Sequence, residues 1–162
     1  MATLTGARAA STFPVGGAGQ ANVMHVAWGY YNLTANPSQN DVIEFCKLPK
    51  GATVIGGFFQ AADIDTGTEA LDIDIGWAAN GVDSADTDGF GNFGVLDGDV
   101  ISQFRPVAGI YYPFINIIQD SGYKTFSAET KVIGTVNAAA NSGGTGMLKV
   151  VVMYVMNTPT VG

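Results

Sequence analysis

The sequence predicts an all-β fold, a single jelly-roll-like antiparallel β-sandwich of about eight strands. Three observations carry that expectation. Gly, Asn, Asp, Ser and Pro punctuate the chain at intervals of about ten residues. The runs between them are rich in Val, Ile, Phe, Tyr and Thr, side chains that suit a pleated surface, and helical periodicity is hard to find. The chain has 162 residues, 47% of them hydrophobic and 13% charged. That is enough apolar surface for one compact domain to offset the entropy of ordering it.

Residues 1–20 are mostly Ala, Gly, Ser and Thr, with Phe13 and Pro14 as the bulky landmarks. They read as a flexible arm rather than a strand, ordered when laid on a neighbour, and residues 21–162 read as the sandwich domain. Strands are expected over 22–31, 42–48, 53–62, 70–77, 100–104, 111–118, 130–137 and 147–157. In Lys47-Leu48-Pro49-Lys50-Gly51-Ala52-Thr53-Val54 the proline presets φ and Gly51 accepts φ > 0, the chemistry of a tight turn, here read as a hairpin. Strand 70–77 alternates cleanly: Leu71, Ile73, Ile75 and Trp77 share a core side, while Asp72, Asp74 and Gly76 share a wet one.

Other strands are apolar on both sides. In 148–156, Leu148, Val150, Val152, Tyr154 and Met156 alternate with Val151, Met153 and Val155. Residues 53–59 set Val54 and Phe58 against Ile55 and Phe59, and 111–118 set Tyr112, Phe114 and Ile118 against Tyr111, Ile115 and Ile117. Helices cover both faces of such strands in a parallel α/β sheet, but no helical segment is in sight here. Covering three side chains such as Val151, Met153 and Val155 is worth on the order of 5 kcal/mol, comparable with the net stability of a domain. Cover from another subunit is therefore expected, with intrachain loops as the alternative.

Charge excludes several functions. Seven Lys and Arg stand against fourteen Asp and Glu, a formal charge of -7, so no basic surface follows a phosphate backbone and nucleic acid is not an expected partner. No run approaches the ~18 apolar residues of a membrane span, and the first residues lack the apolar stretch of about 7 of a signal peptide; no membrane partner is expected and synthesis is read as cytoplasmic. One cysteine, Cys46, and one histidine, His25, cannot make an internal disulfide or a Cys/His zinc site, and no cofactor is expected.

Ten of the fourteen acids lie between Asp63 and Asp99, a stretch without Lys or Arg. Within it, Asp83, Asp86 and Asp88 are weak candidates for a calcium loop, because hard oxygens at alternate positions of a turn suit that ion. The EF-hand pattern fails, since aligning Asp86 and Asp88 on its third and fifth positions places Val95 where a bidentate glutamate is required. A solvated acidic loop is the preferred reading and no metal is expected. Asp72 and Asp74 share a strand face, as a glycosidase pair could, yet acids on a wet face ordinarily solubilise. Cys46 in an apolar strand and the lone His25 make no nucleophile and base, and Gly56-Gly57 and the glycine run 89–94 lack the context and lysine of a phosphate loop. Trp28, Tyr30, Tyr31, Tyr111 and Tyr112 could form a sugar-stacking platform, although strand aromatics are more often core or interface anchors. The chain is not expected to be an enzyme.

The small-residue arm, the turn 47–54, the alternating Leu71-Asp72-Ile73-Asp74-Ile75-Gly76, the Asp-rich loop after it and the closing strand 147–157 together resemble the small decoration, or cement, proteins of tailed-phage capsids. The resemblance spans most of residues 22–157. It implies a β-sandwich, commonly a homotrimer, at or near threefold positions on the outer capsid of the virion, clamping adjacent subunits of the major capsid protein, and it supplies no catalytic residues. On that reading the arm with Phe13 and Pro14, and the outward side chains Val151, Met153 and Val155, are the partner-binding residues. A carbohydrate- or receptor-binding β-sandwich module is the alternative.

Overall fold

A computed structural model describes residues 1–12, 23–96, 109–114 and 123–156. Among them are nine strands: β1 (Thr3–Thr5), β2 (Met24–Leu33), β3 (Val42–Leu48), β4 (Ala52–Ala61), β5 (Asp72–Trp77), β6 (Asp86–Gly91), β7 (Ile110–Pro113), β8 (Thr130–Ala138) and β9 (Gly146–Met156), plus a 3-10 turn at Ala7–Ala9. They form two sheets, A in the order β1-β3-β8-β5-β6 and B in the order β2-β9-β4-β7. Every pairing is antiparallel except β1 with β3. The all-β sandwich is therefore the fold that the alternating, glycine-punctuated sequence implies.

The core lies between the sheets. Ile43, Phe45, Ile73, Ile75, Val132 and Val136 from sheet A meet Val54, Phe59, Leu148, Val150, Val152 and Tyr154 from sheet B, all buried. Aromatic rings tie the layers together: Phe45 meets Phe59 edge-on at 6.4 Å, and Phe90 stacks on Phe114 at 5.0 Å. Such pairs add about 0.5–1.5 kcal/mol each beyond the area they bury.

Several expectations are corrected. The turn at 49–51 is present, with Gly51 at φ 83 and Ala52 N donating to the Pro49 carbonyl, but β3 lies in sheet A and β4 in sheet B. The turn crosses between layers because Leu48, Ala52 and Val54 all bury inward, so there is no hairpin. In β4 a bulge between Val54 and Gly56 shifts the register, which turns Val54 and Phe59 to the core and Phe58 outward, where strict alternation had grouped Val54 with Phe58. Residues 86–91, read as acidic loop, are strand β6. Phe90 anchors it in the core, and the Trp77 ring lies so close over Gly89 that a Cβ there would stand 2.2 Å from it. The glycine is a seat for a ring.

Within the stretch 1–20 read as an arm, Thr3–Thr5 is strand, and residues 13–20 lie outside the described residues. Thr3–Thr5 pairs in parallel with Val42–Glu44, Gly6 N donates to the Glu44 carbonyl at 2.7 Å, and Ala9 is fully buried. Edge hydrogen bonds to β3 make the strand, although Thr-Leu-Thr carries no apolar pattern. The expected strand 100–104 and the end of 111–118 lie outside the described residues.

Candidate interaction face

Sheet B turns one side to the core and the other outward. Register fixes which residues share the outward side: Met24, Val26, Trp28 and Tyr30 of β2 stand opposite Val155, Met153, Val151 and Lys149 of β9, which stand opposite Thr53, Gly56, Phe58 and Gln60 of β4. Phe58 and Gln60 in turn oppose Pro113 and Tyr111 of β7. The expected contacts Val151, Met153 and Val155 thus lie together at the centre of this side, half-buried by their neighbours alone.

The β2 residues are more exposed: Met24 57%, Val26 52%, Trp28 39% and Tyr30 42%. The reason is the inner side of that strand. Gly29 lies against β3 so closely that a Cβ would stand 2.0 Å from the Phe45 carbonyl oxygen, and the inward positions hold His25, Ala27, Gly29, Tyr31 and Leu33. There is no room inward at Gly29, and on either side of it the large Trp28 and Tyr30 turn outward. Met24 and Val26 were not singled out from the sequence, and Trp28 and Tyr30 were read as a sugar platform or as core or interface anchors, because large apolar side chains on a strand are ordinarily assigned to the core. The alternation of bulky Met24, Val26, Trp28 and Tyr30 with small Ala27 and Gly29 was the available signal.

None of β2, β4, β7 and β9 contains Asp or Glu, and Lys149 is their one lysine or arginine. At the margin, the Arg8 guanidinium lies over the Trp28 ring, 4.2 Å from its centroid, a cation–π contact of about 0.5–1 kcal/mol at an exposed site. It ties the N-terminal segment to the face. Phe13 and Pro14 lie outside the described residues.

The predicted sugar platform divides. Trp28, Tyr30 and Tyr111 point outward, whereas Tyr31 and Tyr112 pack against the core. Trp28 and Tyr30 stack on each other, their planes 16° apart, and Arg8 covers the Trp28 ring as well. These three do not form a common flat shelf with Tyr31 and Tyr112.

The acids are structural in their contacts. Asp83 accepts hydrogen bonds from Asn80 Nδ2 at 2.9 Å, Ser127 N at 2.8 Å and Lys124 Nζ at 3.3 Å; the Asn80 amide first, then the backbone N–H and the lysine, hold its carboxyl below the usual range against its desolvation. Asp86 and Asp88 belong to β6. Among the described residues no three His, Cys, Asp or Glu side chains are placed to hold a metal ion. Asp72 and Asp74 do share the outward side of β5, and Asn137 Nδ2 donates to both, at 3.3 and 2.7 Å. Yet Asp74 is 5% exposed, not on a wet face, with the Asn137 amide and the Phe93 backbone N–H against its carboxyl. Burial pushes its pKa up, the Asn137 amide opposes, and the charges of Asp72 and Asp88 add to the rise.

Cys46 is buried and its thiol is pushed up to about 12 by desolvation, so it stays protonated near neutrality. His25 packs on the Tyr154 ring at 5.5 Å. The structure does not bring these two groups together as a nucleophile and base. Asp65 was not singled out from sequence. Its carboxylate, 2% exposed, accepts from Ala70 N, Leu71 N, Asn141 N and Ser142 N at 2.8–3.2 Å, clamping the loop after β4 to the loop between β8 and β9. These four donors lower its pKa despite its desolvation.

No protein-family model and no curated protein matches the chain. Solved structures do. A chain in the capsid of Ralstonia phage GP4 superposes with a TM-score of 0.70 at 17% identity, over 97% of this chain and 99% of that one. A chain of the cyanophage Pam1 capsid asymmetric unit gives 0.61 at 20%, over 90% and 94%. A chain of the acid-stable capsid of Helicobacter pylori bacteriophage KHP30 gives 0.54 at 16%, over 86% and 92%. At such identities the likeness is one of fold, and it extends over nearly the whole of each chain.

Proposed function

We propose that this chain is a non-enzymatic structural protein of a phage virion, bound to the outside of the assembled capsid and clamping adjacent subunits of the major capsid protein. The observation that carries the reading is the two-way coverage in the GP4 capsid, 97% and 99%. The matched capsid chain is about as long as this one, so the likeness is to a whole small β-sandwich and not to a piece of a large shell subunit.

The apolar, acid-free outward side of sheet B supports it. Large exposed apolar patches mark partner surfaces, and this one is built on the most regular part of the molecule. Stabilisation then follows from mass action alone. A protein that binds the assembled shell but not the free subunits favours the shell by about 2.7 kcal/mol per site at 100 times its Kd, and many copies add. No bond need form or break. The half-buried acids Asp86 and Asp88 at the sheet A edge strand β6 would meet solvent or a basic patch on the shell, where charge tunes encounter more than affinity.

Sedimentation of the purified protein with expanded, decoration-free capsids tests the reading. Saturable co-sedimentation at micromolar protein, with capsids that then survive higher temperature, is the expected result. A protein that stays in the supernatant throughout argues against it.

A further inference from the structure

The register of sheet B sets its outward side chains in rows that run across the strands. Rows that start at Met24, Val26 and Trp28 of β2 continue into Val155, Met153 and Val151 of β9 and are mostly apolar. The next row is Tyr30, Lys149, Gln60 and Tyr111, so a single ammonium borders the apolar rows. Lys149 is half-buried, and it differs from the other described lysines. Lys47 pairs with Glu129, Lys124 with Asp83 and Lys131 with Glu44, while Lys50 is exposed in the turn before β4. Among the described residues no acid pairs with Lys149, and β2, β4, β7 and β9 contain none. A lysine so placed lays its stem along hydrocarbon and keeps its head hydrated.

Whatever covers that face strips water from the Lys149 ammonium, and a desolvated ammonium without an anion is costly. We propose that the outward side of sheet B docks an apolar surface of a shell subunit that carries an Asp or Glu carboxylate opposite Lys149. The inference rests on the reading of the chain as a capsid-bound protein and adds the chemistry of the surface it grips. Charge selects the occupant. A second copy laid on this same side brings another lysine and no acid. Its other sides do carry acids, but each Asp and Glu among the described residues already engages a group of its own chain, as Asp41 does with Ala2 N, Glu44 with Lys131 and Glu129 with Lys47. The carboxylate that Lys149 lacks is therefore best supplied by a different protein, and a side-chain acid set among apolar residues matches both the charge and the hydrocarbon rows beside it.

Co-sedimentation with decoration-free capsids over a range of protein concentrations reads the dissociation constant. Lys149→Met keeps the length of the side chain and removes its charge; it should weaken binding at least ~30-fold, because the shell carboxylate is then covered without its cation. Lys149→Arg, which keeps the charge, should retain most of the affinity, and Lys50→Met in the exposed turn should leave it unchanged. All three should keep the wild-type thermal midpoint. In a second measurement a carbodiimide is added to wild-type protein on shells. It joins an ammonium to a touching carboxylate as an amide and takes up the water released, becoming a urea. Peptide mass spectrometry should find Lys149 joined to an Asp or Glu of the shell subunit. Lys149→Met that binds as tightly as wild type, or a Lys149 amide to an acid of a second copy, overturns the inference alone. A wild-type chain that binds no shell overturns the virion reading and the inference with it.

Discussion

The two outward sides of the sandwich are built from the same kind of ribbon and finished in opposite ways. On sheet A, polar groups satisfy one another: Lys131 Nζ donates to both Glu44 oxygens at 2.8 and 2.9 Å, Thr5 Oγ1 donates to Glu44 at 3.0 Å, and Asn137 joins Asp72 to Asp74. On sheet B the outward positions are mostly apolar, Met24, Val26, Trp28, Val151, Met153, Val155 and Phe58 among them, and Arg8 reaches over the margin at Trp28. A side that spends its interactions internally supports the fold, and a side that leaves hydrocarbon facing water supports association. Substitutions on sheet A should therefore change folding, and those on sheet B should change partnership.

The strongest break in that division lies at the seam. Asp65→Ala leaves four backbone N–H groups without their acceptor at a buried site, and should cost about 3–5 kcal/mol in urea unfolding while both sheets are otherwise intact. Pairing Trp28→Glu with Val151→Asp on sheet B should weaken capsid binding in co-sedimentation by about 100-fold, ~2.7 kcal/mol, with a melting temperature within about 2 °C of wild type. A loss of folding from that double change would erase the contrast. On sheet A, Glu44→Ala removes the partners of Lys131 and Thr5 at a part-buried site and should cost about 1 kcal/mol of stability, with no change in capsid co-sedimentation.

Acid sharpens the comparison further. The Asp74 pKa in the native state lies above its unfolded value of 3.8, so its contribution to stability is complete below that value and is lost as pH rises through the native pKa. Asp74→Asn should raise the thermal midpoint at pH 7 by roughly 1–3 °C and leave it unchanged near pH 3.5. Asp41, Asp65 and Asp83 have the opposite sign. Asp41 is held low by the Ala2 and Ser38 backbone N–H groups, and all three contribute above 3.8 and lose that contribution as pH falls through their lowered native values. Acid unfolding should therefore begin below pH ~4, detected by circular dichroism, and Asp74→Asn should leave that onset in place.

Much of this was legible in the residues. β3 and β8 follow from runs of β-branched and aromatic side chains between turn formers, and β9 declared its two apolar sides, so Val151, Met153 and Val155 could be placed on the side away from the core. What escaped had physical causes. Register shifts such as the Val54/Gly56 bulge invert which side a residue takes, and no local pattern announces them. Turn chemistry is the same whether a turn joins neighbours in one sheet or crosses between two, as at Pro49–Gly51. Glycines that seat rings, Gly89 under Trp77 for instance, look like loop glycines until the ring is placed. The burial of Asp74 depended on Asn137 and the backbone at Phe93, and the outward side chains of β2 on how tightly Gly29 meets Phe45.

The two tryptophans of the chain fall one to each role. Trp77 sits in the interior at 7% exposure with Phe90 and Phe126 around it, and Trp28 stands outside beneath Arg8. The molecule thus carries two native fluorophores, one that dims or shifts with unfolding and one that responds when a neighbour expels water from its indole. With Trp28→Phe and Trp77→Phe as single-colour controls, emission spectra can time folding and assembly separately in one cuvette, without any attached dye.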